Sequence, residues 1–181
     1  MRVAAMAAVL LWAVALAAPP GADMVEMEVL GVVALEDGES CLLVLAQKDG
    51  QAVLTPVIGR AEASAIDLAL QHVTPPRPMT HDLLEKVIAR LGGAVERVEI
   101  DGLKDSTFLA TLRVKQGRRA LAIDARPSDS VALALRARAP VFASRRVVEA
   151  AGLSRSDLER LRREPGRPPS RQPPSEGTQR L

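Results

Sequence analysis

From Met24 onward, apolar and polar residues alternate in short runs separated by turn residues, which predicts β-strands. Met27 to Leu35 forms the first run, Glu36-Asp-Gly-Glu39 a turn, and Leu42 to Ala46 the second run. Lys48-Asp-Gly-Gln51 predicts a hairpin into a third strand, Val53 to Ile58. Gly59 breaks the alternation, and the period then lengthens: Glu62 to Leu70 predicts a helix with Ile66, Ala69 and Leu70 on one face. After the stiff connector Pro75-Pro-Arg-Pro78, Thr80 caps a second helix. Leu84, Val87, Ile88 and Leu91 recur in it at helical spacing, and Gly92-Gly93 ends it.

Three further strands follow, Val95 to Ile100, Phe108 to Val114 and Ala120 to Ala125, the last two joined by the hairpin Lys115-Gln-Gly-Arg118. The third strand runs through a polar corner into a helix predicted to start at its N-cap, Ser128. Its body, Val131 to Leu135, is uncharged and so buried on most of its circumference, and Pro140 stops it. Val141 to Ala143 is a short buried run. Residues 145–151 and 155–163 predict short helices, the second with a Ser154/Asp157 capping signal. Glu62 to Leu70 lines up with Pro127 to Leu135, each after a Lys-x-Gly hairpin, which predicts a duplicated unit. The expected fold is α/β of the α+β type: one compact domain of two related strand-strand-strand-helix halves with an extra helix between them.

The ends read differently. Residues 1–23 carry Arg2, an apolar run from Val3 to Val14 and the small residues Ala15-Leu-Ala17. This is either a secretory signal peptide, which would make the mature protein periplasmic or secreted, or a mis-assigned start ahead of Met24, which would leave it cytoplasmic. No integral membrane segment is expected in the mature chain. The domain is expected to span 24–144, followed by a helical extension at 145–164 and a disordered tail at 165–181, which holds five prolines and almost no apolar side chains.

Composition narrows the chemistry. With two Phe, one Trp and no Tyr, aliphatic side chains must fill the core, and any nucleic-acid contact must rest on phosphates more than on stacked bases. Residues 1–112 hold 8 Lys/Arg against 15 Asp/Glu, whereas residues 113–181 hold 16 against 7, so the C-terminal part suits a polyanion. The single cysteine, Cys41, sits in an aliphatic run and reads as a small core residue. There is no Gly-rich phosphate loop, zinc spacing or nucleophile elbow, and His72 and His81 are too few for a histidine-rich metal site.

What remains is a set of carboxylates at strand ends and helix starts: Glu62, Asp82, Asp101, Asp105, Asp124 and Asp129. Phosphodiester hydrolysis uses such groups to hold divalent ions, Mg²⁺ or Mn²⁺, or uses a general base beside cationic groups that stabilise the developing charge. His81 at a helix start is a candidate base. Arg126, held extended by Pro127 at a helix N-terminus, is a candidate phosphate ligand. Each also has a purely structural reading: a first-turn carboxylate favoured by the helix dipole, an ordinary loop at Asp101 to Asp105, or a salt bridge at Arg126.

Three ordered motifs, Arg77-Pro-Met-Thr-His-Asp-Leu-Leu84, Leu103-Lys-Asp-Ser-Thr-Phe108 and Asp124-Ala-Arg-Pro-Ser-Asp-Ser-Val-Ala-Leu-Ala-Leu135, together resemble the bifunctional nuclease domain family. Ile58-Gly59 and Glu62-Ala63 extend the resemblance into the first half, so that it covers about Val25 to Ser144. It implies a compact, often oligomeric α/β domain cleaving DNA and RNA. Matching motifs place Glu62, His81, Asp105, Asp124 and Asp129 as catalytic candidates, with Lys104, Arg126 and Ser128 contacting substrate. Leu109 departs from the family, standing where an aromatic often follows the Phe. The competing function is a non-catalytic, oligomeric binding module with an Arg-rich tail.

Overall fold

The computed structural model describes Gly21 and residues 23–163; the leader, apart from Gly21 and Asp23, and the Pro/Arg-rich tail lie outside the described residues. The alternating runs form β1 (Met24–Ala34), β2 (Ser40–Gln47), β3 (Ala52–Leu54) and β4 (Val57–Gly59), followed by the helices α1 (Arg60–Leu70) and α2 (Thr80–Arg90). Then come β5 (Gly93–Lys104), β6 (Thr107–Gln116), β7 (Arg119–Ala125), α3 (Pro127–Ala137), β8 (Val141–Ser144), α4 (Arg145–Ala151), β9 (Leu153–Ser154) and α5 (Arg155–Arg163).

One mixed sheet contains all nine strands, in the order β7-β6-β5-β8-β1-β2-β3-β9, with β4 pairing β2 outside that path. The short β8 occupies the centre, parallel to β5 and antiparallel to β1, so one hairpin-linked triplet flanks it on each side. The predicted third strand, Val53 to Ile58, is broken at Thr55–Pro56. Pro56 cannot donate to a ladder, and β3 and β4 pair separate stretches of β2. A bulge in β1 between Val29 and Gly31 is accommodated by Gly31 at φ 144°.

Period-2 alternation puts Leu43, Leu45, Val98, Ile100, Leu112 and Val114 on one face of the sheet, where they are buried with Ala63, Ala65 and Ile66 of α1 and Val131 to Ala134 of α3. Cys41 belongs to this core, as its aliphatic neighbours predict. On the other face, Leu158 of α5 packs on Val44, Ala46 and Val53. Here too lies a charged cluster: Glu99, buried, accepts from Arg97 Nε and from Arg113 Nε, each at 2.7 Å. Burial pushes the Glu99 carboxyl up, but the two guanidinium groups outweigh it and hold it below the usual range. Among the described residues, no helix is long and apolar enough to cross a membrane.

The helix starts differ from the expected ones by one or two residues. Arg126, not Ser128, is the N-cap of α3, at φ −67° and ψ 145°, because Pro127 takes the first helical position, which it favours. Ser128 is therefore inside the first turn and buried. Likewise Gly59 and Met79 cap α1 and α2, and Thr80 is already helical.

Candidate active site

α1 and α3 each carry a carboxylate in the first turn, Glu62 and Asp129, where the unpaired backbone N–H groups favour negative charge. The chain folds so that both meet the N-cap of α3. Arg126 donates from Nη2 to Glu62 Oε1 (2.8 Å), from Nε to Asp129 Oδ2 (2.6 Å) and from Nη2 to Asp129 Oδ1 (3.1 Å). Nη1 takes no part in these bonds, and the side chain is 65% exposed, so one edge of the guanidinium faces solvent. Gly59 makes room on the other side: a Cβ there would sit 2.6 Å from Glu62 Oε2.

The second oxygen of Asp129 connects the corner to α2. His81, buried in the first turn of that helix, donates from Nε2 to Asp129 Oδ1 at 3.0 Å. Burial raises the Asp129 carboxyl, but the bonds from Arg126 and His81 prevail and hold it below its ordinary value. Paired with two carboxylates, Arg126 is driven further above its already high value. With Asp129 ionised, the imidazole proton sits on Nε2 and the lone pair on Nδ1.

α2 is held by a second polar contact. Asp82 accepts from the Met79 backbone N–H (2.8 Å) and from Arg136 Nε, and Arg136 Nη1 also donates to Ala132 O (2.9 Å) and Ala65 O (3.2 Å). Arg136 thus ties α1, α2 and α3 together. Sequence reasoning passed over it; the available signal was an Arg one position past the apolar run Val131 to Leu135, in the last turn of a buried helix. Beside this contact runs an open groove of about 650 Å³, lined by Asp82, Lys86, His72 and Arg138 among others.

The structure brings Glu62, His81, Arg126 and Asp129 into one hydrogen-bonded set. It places the other sequence-derived candidates elsewhere. Asp124 pairs with Thr111 in the β6–β7 ladder, alternating with Ile123 and hence on the sheet face opposite α1 and α3. Asp101 is on that face as well, accepting from Thr111 Oγ1 at 2.6 Å. Lys104 pairs Thr107 across the β5–β6 hairpin, and Asp105 and Ser106 form its turn at φ 47° and 63°. Among the described residues, no group of three or more His, Cys, Asp or Glu is gathered closely enough to hold a metal ion. The carboxylates at the corner are engaged by Arg126 instead.

Residues 43–156 match the bifunctional nuclease domain. The chain is 41% identical over 130 residues to the uncharacterized protein Rv1829 of Mycobacterium tuberculosis, covering 72% of this chain and 77% of that protein. It is 28% identical over 115 residues to Bifunctional nuclease 1 of Oryza sativa subsp. japonica, covering 61% of this chain and 35% of the rice protein. Bifunctional nuclease 2 of the same plant matches at 25% over 123 residues, 66% of this chain and 38% of that protein.

Proposed function

Because this chain belongs to the bifunctional nuclease domain family, we propose that it hydrolyses phosphodiester bonds in DNA or RNA at the corner where α1 and α3 begin. The observation that carries this reading is that an exposed guanidinium and a histidine share one carboxylate, Asp129. Arg126 offers its free Nη1 edge to a non-bridging phosphate oxygen, and Glu62 and Asp129 fix its plane. Asp129 fixes the His81 ring so that Nδ1 can take the proton of an attacking water as the oxygen–phosphorus bond forms. The charge that builds on the phosphoryl oxygens then falls against Arg126, and the leaving oxygen departs from the opposite side.

The binding-module reading is favoured by one observation, that Glu62 and Asp129 already have an ion-pair partner. Cleavage assays on single- and double-stranded DNA and RNA, with Mg²⁺, Mn²⁺ or EDTA, separate the two. Hydrolysis that falls about 100-fold or more in Arg126→Ala and His81→Ala supports the nuclease. Binding without hydrolysis supports the module.

A further inference from the structure

Glu62, Arg126 and Asp129 belong to α1 and α3, whereas His81 arrives on α2. The place of the imidazole relative to the guanidinium therefore depends on how α2 docks against the other two helices. Apolar packing does little to determine that docking. Leu83, Leu84, Val87 and Leu91 of α2 are 42–69% exposed, and the buried residue of the helix is His81 itself. Ile88, two turns further on, packs against the core and anchors the far end.

The near end is held by two polar contacts with one helix. His81 meets Asp129 in the first turn of α3, and Asp82 meets Arg136 in its last turn. Seven residues separate Asp129 from Arg136 in the sequence, about two turns, so the anchor points lie on the order of 10 Å apart along α3. A single contact would let α2 swing about it; two at that separation set its direction.

Arg136 is the rigid partner in the second contact. Its side chain is mostly buried, and Nη1 donates to Ala132 O of its own helix (2.9 Å) and to Ala65 O of α1 (3.2 Å), bonds in which α2 takes no part. The guanidinium is thus mounted on the frame that also carries Glu62, Arg126 and Asp129, and from there Nε reaches Asp82. The same carboxylate accepts the Met79 N–H, which ties it to the start of α2 (2.8 Å).

We propose that Arg136 is a positioning residue of the site: acting through Asp82, it sets the His81 ring against Asp129 and so places Nδ1 relative to Arg126. The effect on cleavage rests on the nuclease reading, whereas the orientation of the ring does not. Misplacing a reacting group by about 1 Å costs about 100-fold in rate. Loss of the contact should therefore lower kcat by about tenfold to 100-fold, with KM changed less than about twofold, because Arg136 lies behind Asp82 and does not touch the substrate.

Imidazole nitrogen NMR of the full chain at about pH 8.5 tests the positioning without reference to cleavage. The chain has two histidines, and His72→Asn removes the other signal with a residue that tolerates the left-handed φ of 56° at that position. In this background His81 is expected to show one tautomer, protonated on Nε2. Arg136→Met and Asp82→Ala, each folded by circular dichroism, should bring in the Nδ1-protonated tautomer, and the double variant should add no more, since both remove one bond. Asp82→Ala breaks that bond while Arg136 keeps its carbonyl partners, so the test stands even where Arg136→Met does not fold. A His81 spectrum unchanged in the folded variants overturns the proposal. So do additive changes in the double variant, or a rise in KM at constant kcat, which would put Arg136 on the substrate. A wild type that shows the single tautomer and cleaves nothing refutes the nuclease reading alone; an active wild type whose His81 spectrum ignores both substitutions refutes the positioning role alone.

Discussion

Replacing Asp82 with Ala removes the contact that fixes α2, and with it the platform for His81. Asp82 accepts the Met79 N–H at the start of α2 and the Arg136 Nε from α3. Loss of an N-terminal carboxylate acceptor costs about 1 kcal/mol, and loss of a mostly buried, charge-assisted bond costs about 2 kcal/mol. Arg136 keeps its bonds to Ala132 O and Ala65 O, so its guanidinium is not stranded, and the total stays near 3 kcal/mol. Because the outward stripe of α2 contributes little burial, few apolar contacts hold the helix once this bond is gone. Urea unfolding should therefore show a loss of about 3 kcal/mol, with melting lowered by about 9 °C, and amide exchange should quicken first in α2. Asp82 is held below its ordinary value: burial raises it, but Arg136 and the Met79 N–H prevail. The loss should accordingly vanish once pH falls below the folded-state value, where the wild-type carboxyl is protonated too. A loss under about 0.5 kcal/mol at pH 7 with unchanged α2 protection would refute polar docking of this helix.

The Glu99 cluster should govern acid stability. Its contribution is complete above the ordinary glutamate pKa of about 4.3 and is lost as pH falls through the lower folded value, so the melting temperature of the wild type should drop more steeply below about pH 4 than that of Glu99→Gln. Ser130 Oγ is fully buried with no hydrogen-bond partner among the described residues, so Ser130→Ala should leave urea stability equal or raise it by about 1 kcal/mol; a loss above that would reveal a hidden partner. Gly59→Ala puts a methyl on Glu62 Oε2 and should swing that carboxylate off Arg126. Its stability cost should stay below about 1 kcal/mol, as befits an exposed pair, while nuclease activity falls; equal activity would show that Glu62 does not position the guanidinium.

Much of the fold is legible because local signals and tertiary structure agree. Alternating runs and Gly-containing turns mark the two hairpin-linked triplets, and Pro127 with the uncharged run Val131 to Leu135 marks the buried helix α3. What the chain conceals is directional. Leu84, Val87 and Leu91 reveal a helical period, yet a period does not say which side meets the core, and here His81 and Asp82 win the inward face because α3 supplies Asp129 and Arg136 as partners. Strand alternation could have placed Arg97, Glu99 and Arg113 on one face, but not that the middle carboxylate is buried there. Within the site, the acidity of the helix starts is readable, whereas the meeting of Glu62 with Arg126, 64 residues apart, depends on how α1 packs on α3. Asp124 belongs to the same motif as Arg126 yet faces the other side of the sheet: alternation with Ile123 turns it away from the core, whereas Arg126 lies past the end of β7 as the N-cap of α3.

The central claim is that Arg126 and His81 act on a phosphodiester through their shared Asp129. Its most direct measurement is the hydrolysis of a labelled single-stranded oligonucleotide by wild type, Arg126→Lys and His81→Asn at matched folded concentration, across pH and with each of Mg²⁺, Mn²⁺ and EDTA. The account predicts cleavage by the wild type, loss of about 100-fold in each variant, and loss in His81→Asn of the rising limb that a histidine base gives the pH profile. Equal cleavage by all three proteins, or none by the wild type in any condition, would contradict it.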